Sequence, residues 1–338
     1  MSDITLELLK LISEDKTLNE ISEILKLSQK QIFNYLTMIK NRGYDFNRHY
    51  FHDGNIKYSF IHQYSKPLNK EIIFSKGVTK LHAIVISDTH IGSNFERLDL
   101  LNEVYEYCSK NSINIIFHCG DIIDNYAYEC KINKESRVEY LLKNYPYDKN
   151  ILTFAILGNH DLGPLTEFGQ NLMLLLNNYR HDIIALGYLV ENLNLQQDAI
   201  TLYHPFHKNS FISKRCSDSK LILQGHSHIY KIEGNIKEEN PIRVLVPSLS
   251  DISVYKESFP SILDLEIELK GENISVITIR QLIYLNKKFT PINVATYDLD
   301  NIDQTNELYN QDREKNLVLK KQTADLSQID KFNARWSK

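Results

Sequence analysis

Four segments of this chain repeat one pattern: an apolar, β-branched run that breaks at a glycine and carries carboxylates, histidines or an amide at its tip. Residues 84–92 present Asp88-Thr-His90 and then Gly92, and residues 113–124 end in Gly120-Asp121-Ile-Ile-Asp124. Residues 151–161 end in Gly158-Asn159-His160-Asp161, and residues 221–228 end in Gly225-His226-Ser-His228. Apolar runs of this length bounded by glycine read as buried strands. Open α/β sheets place their sites at the carboxyl ends of strands. Alternation in an extended chain sets residues i and i+2 on one side, so Asp88 and His90 are expected to reach one cation. Taken singly, an Asp-x-His tip is more often a solvated strand end than a ligand pair. Four such tips in one chain make that bland reading improbable for the set.

The rest of the sequence is consistent with a globular protein of two domains. Its 338 residues supply enough chain for a sizeable core, and 42% hydrophobic with 24% charged residues is an ordinary globular balance. A net charge of -4 argues against a wholly basic nucleic-acid coat but leaves room for a local basic face. Cys108, Cys119, Cys130 and Cys216 form no C-x-x-C pair and no secreted-type framework, so reduced thiols are expected. The N-terminus has no basic stretch leading into an apolar core, and no span is apolar enough for a bilayer. The expectation is a cytoplasmic protein without membrane contact.

Residues 1–60 form a unit of their own. Ile4, Leu8, Leu9, Leu11 and Ile12 recur at helical spacing, Thr17 with Glu20 makes a capping box for a second helix, and Ser28 with Gln31 caps a third. Two aromatic strands around Asp53-Gly54 follow. Three helices and a hairpin resemble a winged helix-turn-helix. On that reading Gln29, Lys30, Gln31, Asn34 and Tyr35 would face a major groove, with Lys40, Arg42 and Lys57 among the residues meeting phosphates. Such folds also serve as assembly modules. Residues 61–79 read as a linker or peripheral strand, residues 80–285 as the large domain, and residues 286–338 as a polar extension with few apolar anchors.

The motif set Asp88-Thr-His90, Gly120-Asp121-Ile-Ile-Asp124, Gly158-Asn-His-Asp161, His204 and Gly225-His-Ser-His228 resembles, in order, that of the calcineurin-like metallophosphoesterases. The resemblance covers roughly residues 80–285. It implies a four-layer α-β-β-α sandwich with two adjacent divalent metal ions, here preceded by the winged helix. By position, Asp88, His90 and His228 would hold the first metal and Asn159, His204 and His226 the second, with Asp121 bridging. His204 and His207 compete for one place; His204, straight off its strand, is preferred. The mixture of oxygens and imidazoles suits manganese first, with iron, zinc or nickel as alternatives. Two cations about 4 Å apart make hydroxide available near neutral pH and neutralise phosphate oxygens. His160 would stabilise the transition state or protonate the leaving oxygen, and Asp161 would hold its ring.

Protein phosphatases of this superfamily carry arginine where this chain has Asn125, and an Asn-His-Glu tip where it has Asn159-His-Asp161. The Asp-Thr-His-Ile-Gly spelling is closer to the SbcD-type repair nucleases. The sequence therefore leads to a two-metal phosphodiesterase, a DNA nuclease with DNA as partner. One alternative is a small-nucleotide phosphodiesterase or phosphomonoesterase using its first domain for assembly. The other is a DNA-binding regulator whose phosphoesterase domain senses a nucleotide. A homodimer is allowed, and a partner ATPase is not indicated.

Overall fold

The structure is a computed structural model that describes residues 3–40, 46–60, 70–124, 130, 132–206, 219–233, 241–252 and 259–300. Arg42, Asn125, His207, Cys216 and residues 301–338 of the polar extension lie outside the described residues, as does the side chain of Lys40.

The chain opens with helices α1 (Asp3–Ser13), α2 (Leu18–Leu25) and α3 (Gln29–Lys40). Thr17 and Glu20 form the reciprocal capping box of α2, and Ser28 with Gln31 exchanges the same bonds at the start of α3. Strands β1 (Phe46–Phe51) and β2 (Ile56–Phe60) pair in antiparallel fashion, and β3 (Ile72–Ile73) adds in parallel to β1. The linker expected over 61–79 thus contributes a strand to the first unit.

The larger part runs β4 (Lys80–Ile86), α4 (Leu98–Lys110), β5 (Ile115–Cys119), α5 (Arg137–Asn144), β6 (Leu152–Leu157), α6 (Gly163–Phe168), α7 (Leu172–Tyr179) and β7 (Ile183–Tyr188). It continues through β8 (Val190–Leu195), β9 (Asp198–Tyr203), β10 (Leu221–His228), β11 (Lys231–Glu233) and β12 (Ile242–Pro247). The last strands are β13 (Ser261–Lys270), β14 (Asn273–Leu285) and β15 (Lys288–Asp298). A seven-stranded sheet has the order β15-β14-β13-β4-β5-β6-β7, and a five-stranded sheet the order β11-β12-β10-β9-β8. Strand β15 lies within the segment expected to be a polar extension. Buried Ala295 and Tyr297 alternate with half-buried Val294, exposed Thr296 and half-buried Asp298, as in an edge strand with one covered face.

Side-chain alternation divides the core in two. Ala83, Val85, Ile115, Phe117 and Phe154 point to one face of the large sheet, where they meet Leu193, Ile200, Leu202, Leu221 and Leu223 of the small sheet. Ile84, Ile86, Ile116 and Leu157 point to the other, against Leu101, Val104 and Cys108 of α4, Leu141 of α5 and Leu176 of α7. The N-terminal unit joins the first of these clusters, and Tyr50 packs edge-on to Phe154 at 5.3 Å between ring centroids. It is fastened again by Arg48 Nη2, which donates to the Asn177 carbonyl at 3.0 Å, and by Gln29 and Phe33 of α3 against His181. Strands β4, β5 and β6 are parallel to one another, as are β9 and β10, and the tips of all five meet at one edge of the two sheets. No helix among the described residues is long and apolar enough to cross a membrane.

Candidate metal centre

At that edge the chain leaves each strand by an abrupt turn. Asp88, His90, Asp121, His226 and His228 all have positive φ, between 43° and 72°. The left-handed region costs a non-glycine residue roughly 1–2 kcal/mol, and such strain persists only where surrounding structure enforces it. Asp88 and His90 therefore do not meet by strand alternation, because β4 has already ended at Ile86. Left-handed turns aim both side chains inward. Two glycines leave room for this. A Cβ on Gly120, itself at φ +93°, would lie 2.5 Å from His204 Nδ1, and one on Gly158 would overlap the Asp121 carboxylate.

Among the described residues, the groups at this edge are Asp88 with His90 and His228, Asp121 with His204 and His226, and His90 with Asp124 and His160; the first two contain the residues expected as ligands. In the first, His228 Nε2 lies 3.0 Å from Asp88 Oδ1, and His90 Nε2 lies 3.5 Å from His228 Nε2. Yet Asp88 Oδ1 is buried and makes no hydrogen bond among the described residues. The other oxygen, Oδ2, is satisfied by Ser87 Oγ at 2.5 Å and the His226 N–H at 3.0 Å. In the second group, His204 Nδ1 donates to the Cys119 carbonyl at 2.8 Å, which turns Nε2 toward Asp121 Oδ2 and Asn159 Oδ1, each 3.1 Å away. Asn159 Oδ1 is also 3.1 Å from His226 Nδ1. A backbone carbonyl holding the far nitrogen is how proteins orient a metal-ligating imidazole.

This geometry calls for positive charge. Burial opposes charge on His204, but the Asp121 and Asp88 carboxylates outweigh it and raise the ring to about 9. Burial likewise opposes the charge on Asp121, and His204, His160 and His90 pull it down to about 2. Acceptor atoms face one another with lone pairs converging, and a divalent cation fits such a set of carboxylate, amide and imidazole donors. His207 lies outside the described residues, while His204 is placed in the cluster. Among the remaining histidines, His118 is buried against Thr89 Oγ1 at 3.1 Å and its pKa is lowered to about 3 by burial.

The aspartate expected to hold the His160 ring is not the one that reaches it. Asp161 does not hold His160. It is fully buried and accepts the N–H groups of Ile122 at 3.1 Å, Ile123 at 2.9 Å and Gly158 at 2.7 Å, tying the tip after β5 to the tip after β6. Burial and the nearby Asp121 charge push its carboxyl up to about 7. Asp124 is the residue at the ring: its Oδ1 lies 3.1 Å from His160 Nδ1 and 3.4 Å from His90 Nδ1, and Cys130 Sγ donates to Oδ2 at 3.4 Å. Burial disfavours a charged His160, but the Asp124 bond raises its pKa. The His160 N–H donates to Asp121 Oδ1 at 2.9 Å, and the side chain remains 15% exposed, open to a ligand at the edge. The resemblance put Asp161 on the ring, whereas the structure puts Asp124 there. The second carboxylate of Gly-Asp-x-x-Asp was the available signal.

The residues expected to face a groove are dispersed. Lys30, Gln31 and Asn34 are exposed on α3. Gln29 is buried; it donates to Asn19 and lies 3.3 Å from His181 Nε2, so it faces the larger domain and not solvent. Tyr35 is half-buried against the unit's own core, and Lys57 pairs with Asp15 at 2.7 Å. Helix periodicity alone could not separate these faces, because the surface that covers Gln29 comes from residues 150 positions away.

Clustered carboxylates, histidines and an amide at the strand tips of a two-sheet α/β fold form a candidate divalent-metal site. Residues 81–248 match the family model of the Calcineurin-like phosphoesterase superfamily domain. Among curated proteins no relative matches. Among the solved structures that resemble it are a wild-type Vps29 complexed with zinc from Entamoeba histolytica, at 11% identity and TM-score 0.36, covering 65% of this chain and 99% of that one; Yfce, a phosphoesterase from E. coli, at 15% and 0.31, covering 67% and 97%; and the Pseudomonas putida nuclease MPE, at 15% and 0.30, covering 57% and 85%. At these values none of the three says what this chain acts on.

Proposed function

We propose that the protein is a two-metal phosphodiesterase acting on nucleic acid. The observation that carries this reading is the pair of side-chain groups at one edge, Asp88 with His90 and His228, and Asp121 with His204, His226 and Asn159. Asp88, His90 and His228 would hold one cation, Asn159, His204 and His226 the other, with Asp121 between them. Divalent ions bound there, manganese first among them, supply Lewis-acid stabilisation of phosphoryl oxygens and a hydroxide nucleophile near neutral pH. His160, anchored through Nδ1 on Asp124, turns its Nε2 toward the centre, 3.9 Å from Asp121 Oδ2, and is the group able to protonate a leaving oxygen. Asp161 holds the two loops in register.

The first unit, read as a winged helix, would meet nucleic acid through Lys30, Gln31 and Asn34. Its fixed seat on the larger domain, through Gln29, Phe33 and Tyr50, favours a second role as a rigid brace that sets where a strand enters. The test is hydrolysis of single- and double-stranded DNA, bis-p-nitrophenyl phosphate and p-nitrophenyl phosphate by manganese-reconstituted protein, with Asp121→Ala as control. DNA cleavage lost in that variant is the expected result. Hydrolysis of the small esters with DNA left intact would sink the nucleic-acid part.

A further inference from the structure

Ten large apolar side chains among the described residues are exposed, and half of them stand on segments that lead into or out of the candidate ligands: Leu165, Phe168, Phe206, Ile229 and Phe259. Phe206 follows His204 by two residues, and Ile229 follows His228 directly. Leu165 and Phe168 lie on α6, which continues from the turn carrying His160. Phe259 precedes β13, which runs antiparallel to β4 with Leu263 opposite Val85, so it lies beyond the end of β4 where Asp88 turns inward. Ser261 and Ser248 tie that segment to Asp88: the Ser261 N–H donates to the Ser248 carbonyl at 3.3 Å, and Ser248 Oγ donates to the Asp88 carbonyl at 2.8 Å. Chain connectivity thus brings five exposed apolar residues to the segments that flank the candidate ligands. A single exposed phenylalanine means little, but a concentration at a site points to a ligand.

What touches this rim must be the group esterified to the phosphate at the centre. Cations described nearby are already engaged: Arg97 with Asp99 and Asp251, Arg137 with the Asp124 carbonyl, and Lys231 with Glu233. A duplex presents phosphates outward and hides its base faces, so an aromatic rim offers it little. An unpaired base presents a π-face that stacks on aromatic side chains whatever its sequence. We infer that Phe168, Phe206 and Phe259, flanked by Leu165 and Ile229, form a base-stacking rim that selects single-stranded nucleic acid over duplex. This rests on the phosphodiesterase reading above and names its substrate class.

The test reads binding by the metal-free, full-length protein, so that cleavage does not intervene. Fluorescence anisotropy compares a labelled single-stranded oligothymidylate, the same backbone with abasic sites, and a hairpin duplex. The oligothymidylate is expected to bind at least about tenfold more tightly than the abasic strand. Phe206→Ala and Phe259→Ala are each expected to weaken it roughly five- to tenfold, and Phe206→Trp to restore it. Both side chains are about half exposed, 48% and 55%, so the variants should melt with the wild type; Phe168→Ala serves if either fails to fold. Equal binding of oligothymidylate and abasic strand overturns the inference. So does tight binding of phosphatidylcholine vesicles that is lost in the phenylalanine variants, which would assign the rim to a lipid diester. Bis-p-nitrophenyl phosphate hydrolysis by the manganese-loaded wild type separates the two claims. Hydrolysis without base-dependent binding removes the rim alone, whereas base-dependent binding without turnover of any phosphoester removes the enzyme reading.

Discussion

The metal edge and the N-terminal unit obey different rules. In the N-terminal unit the helices are set by their own neighbours: capping boxes at Thr17 and Ser28, apolar residues at helical spacing, and, among the described non-glycine residues, positive φ only where helices end, at Asp15 and Lys26. At the metal edge five candidate ligands are held in the left-handed region, and carboxylates are buried against imidazoles. Nothing in their immediate sequence makes that arrangement favourable. The two packed sheets enforce it, so the site is strained and rigid while the first unit is relaxed and its contribution divisible.

The sharpest way to break this contrast is Asp121→Ala. It removes the carboxylate that faces His204 and receives the His160 N–H, and the expected loss of phosphodiester hydrolysis exceeds the roughly 100-fold seen when a residue merely supporting a ligand is removed. Calorimetric titration with manganese should show weakened binding in parallel; unchanged affinity would remove Asp121 from the centre. Next, Asp124→Asn and Asp161→Asn should diverge. The first is expected to lower turnover roughly 100-fold with little change in melting temperature, because it frees His160. The second should cost about 1–3 kcal/mol of stability, since one amide oxygen cannot serve three N–H donors. Identical behaviour of the two would undo the division of roles.

A smaller effect is expected at the seat of the N-terminal unit. His181 is buried among Phe33, Tyr147 and Gln29, with Asp182, Arg48, Arg180 and Lys30 as the charged groups around it. Burial lowers its pKa from an ordinary 6.5 to about 4. The unfolded chain then takes up this proton first, so the contribution of His181 is whole above pH 6.5 and declines as pH falls toward 4. Over that window the wild type should lose about 1–3 kcal/mol relative to His181→Asn in denaturant melts. Parallel pH profiles would show that His181 is not the titrating contact. Smallest of all, Thr17→Ala should cost about 1 kcal/mol and leave phosphodiester hydrolysis unchanged. A large loss of activity would mean the two regions are coupled more tightly than their packing indicates.

Much of the fold was legible in the chain. Glycine-bounded apolar runs gave the strands at β4, β5, β6 and β10, and helical spacing gave α1 to α4. Strand β15 was missed because an edge strand keeps one polar face, and over residues 288–298 that face makes the composition resemble a tail. The candidate ligands stand out in the sequence as a set and the structure brings them to one edge, but their hydrogen-bond partners were not legible. Asp161 and Asp124 are both buried carboxylates near His160, and only the path of the loop after β5 decides which one reaches the ring. The same holds for Gln29, whose burial depends on where α3 meets His181.

The sequence by itself determined local things: where helices start, where strands run, and which residue types stand at strand tips. Those follow from capping bonds, periodicity and backbone preference, all acting within a few residues. Only the tertiary structure decided that Asp88 and His90 converge through left-handed turns instead of strand alternation, and that Asp124 and not Asp161 holds His160. Each of these depends on contacts between residues far apart in the chain, where the order of strands and the packing of two sheets set the distance.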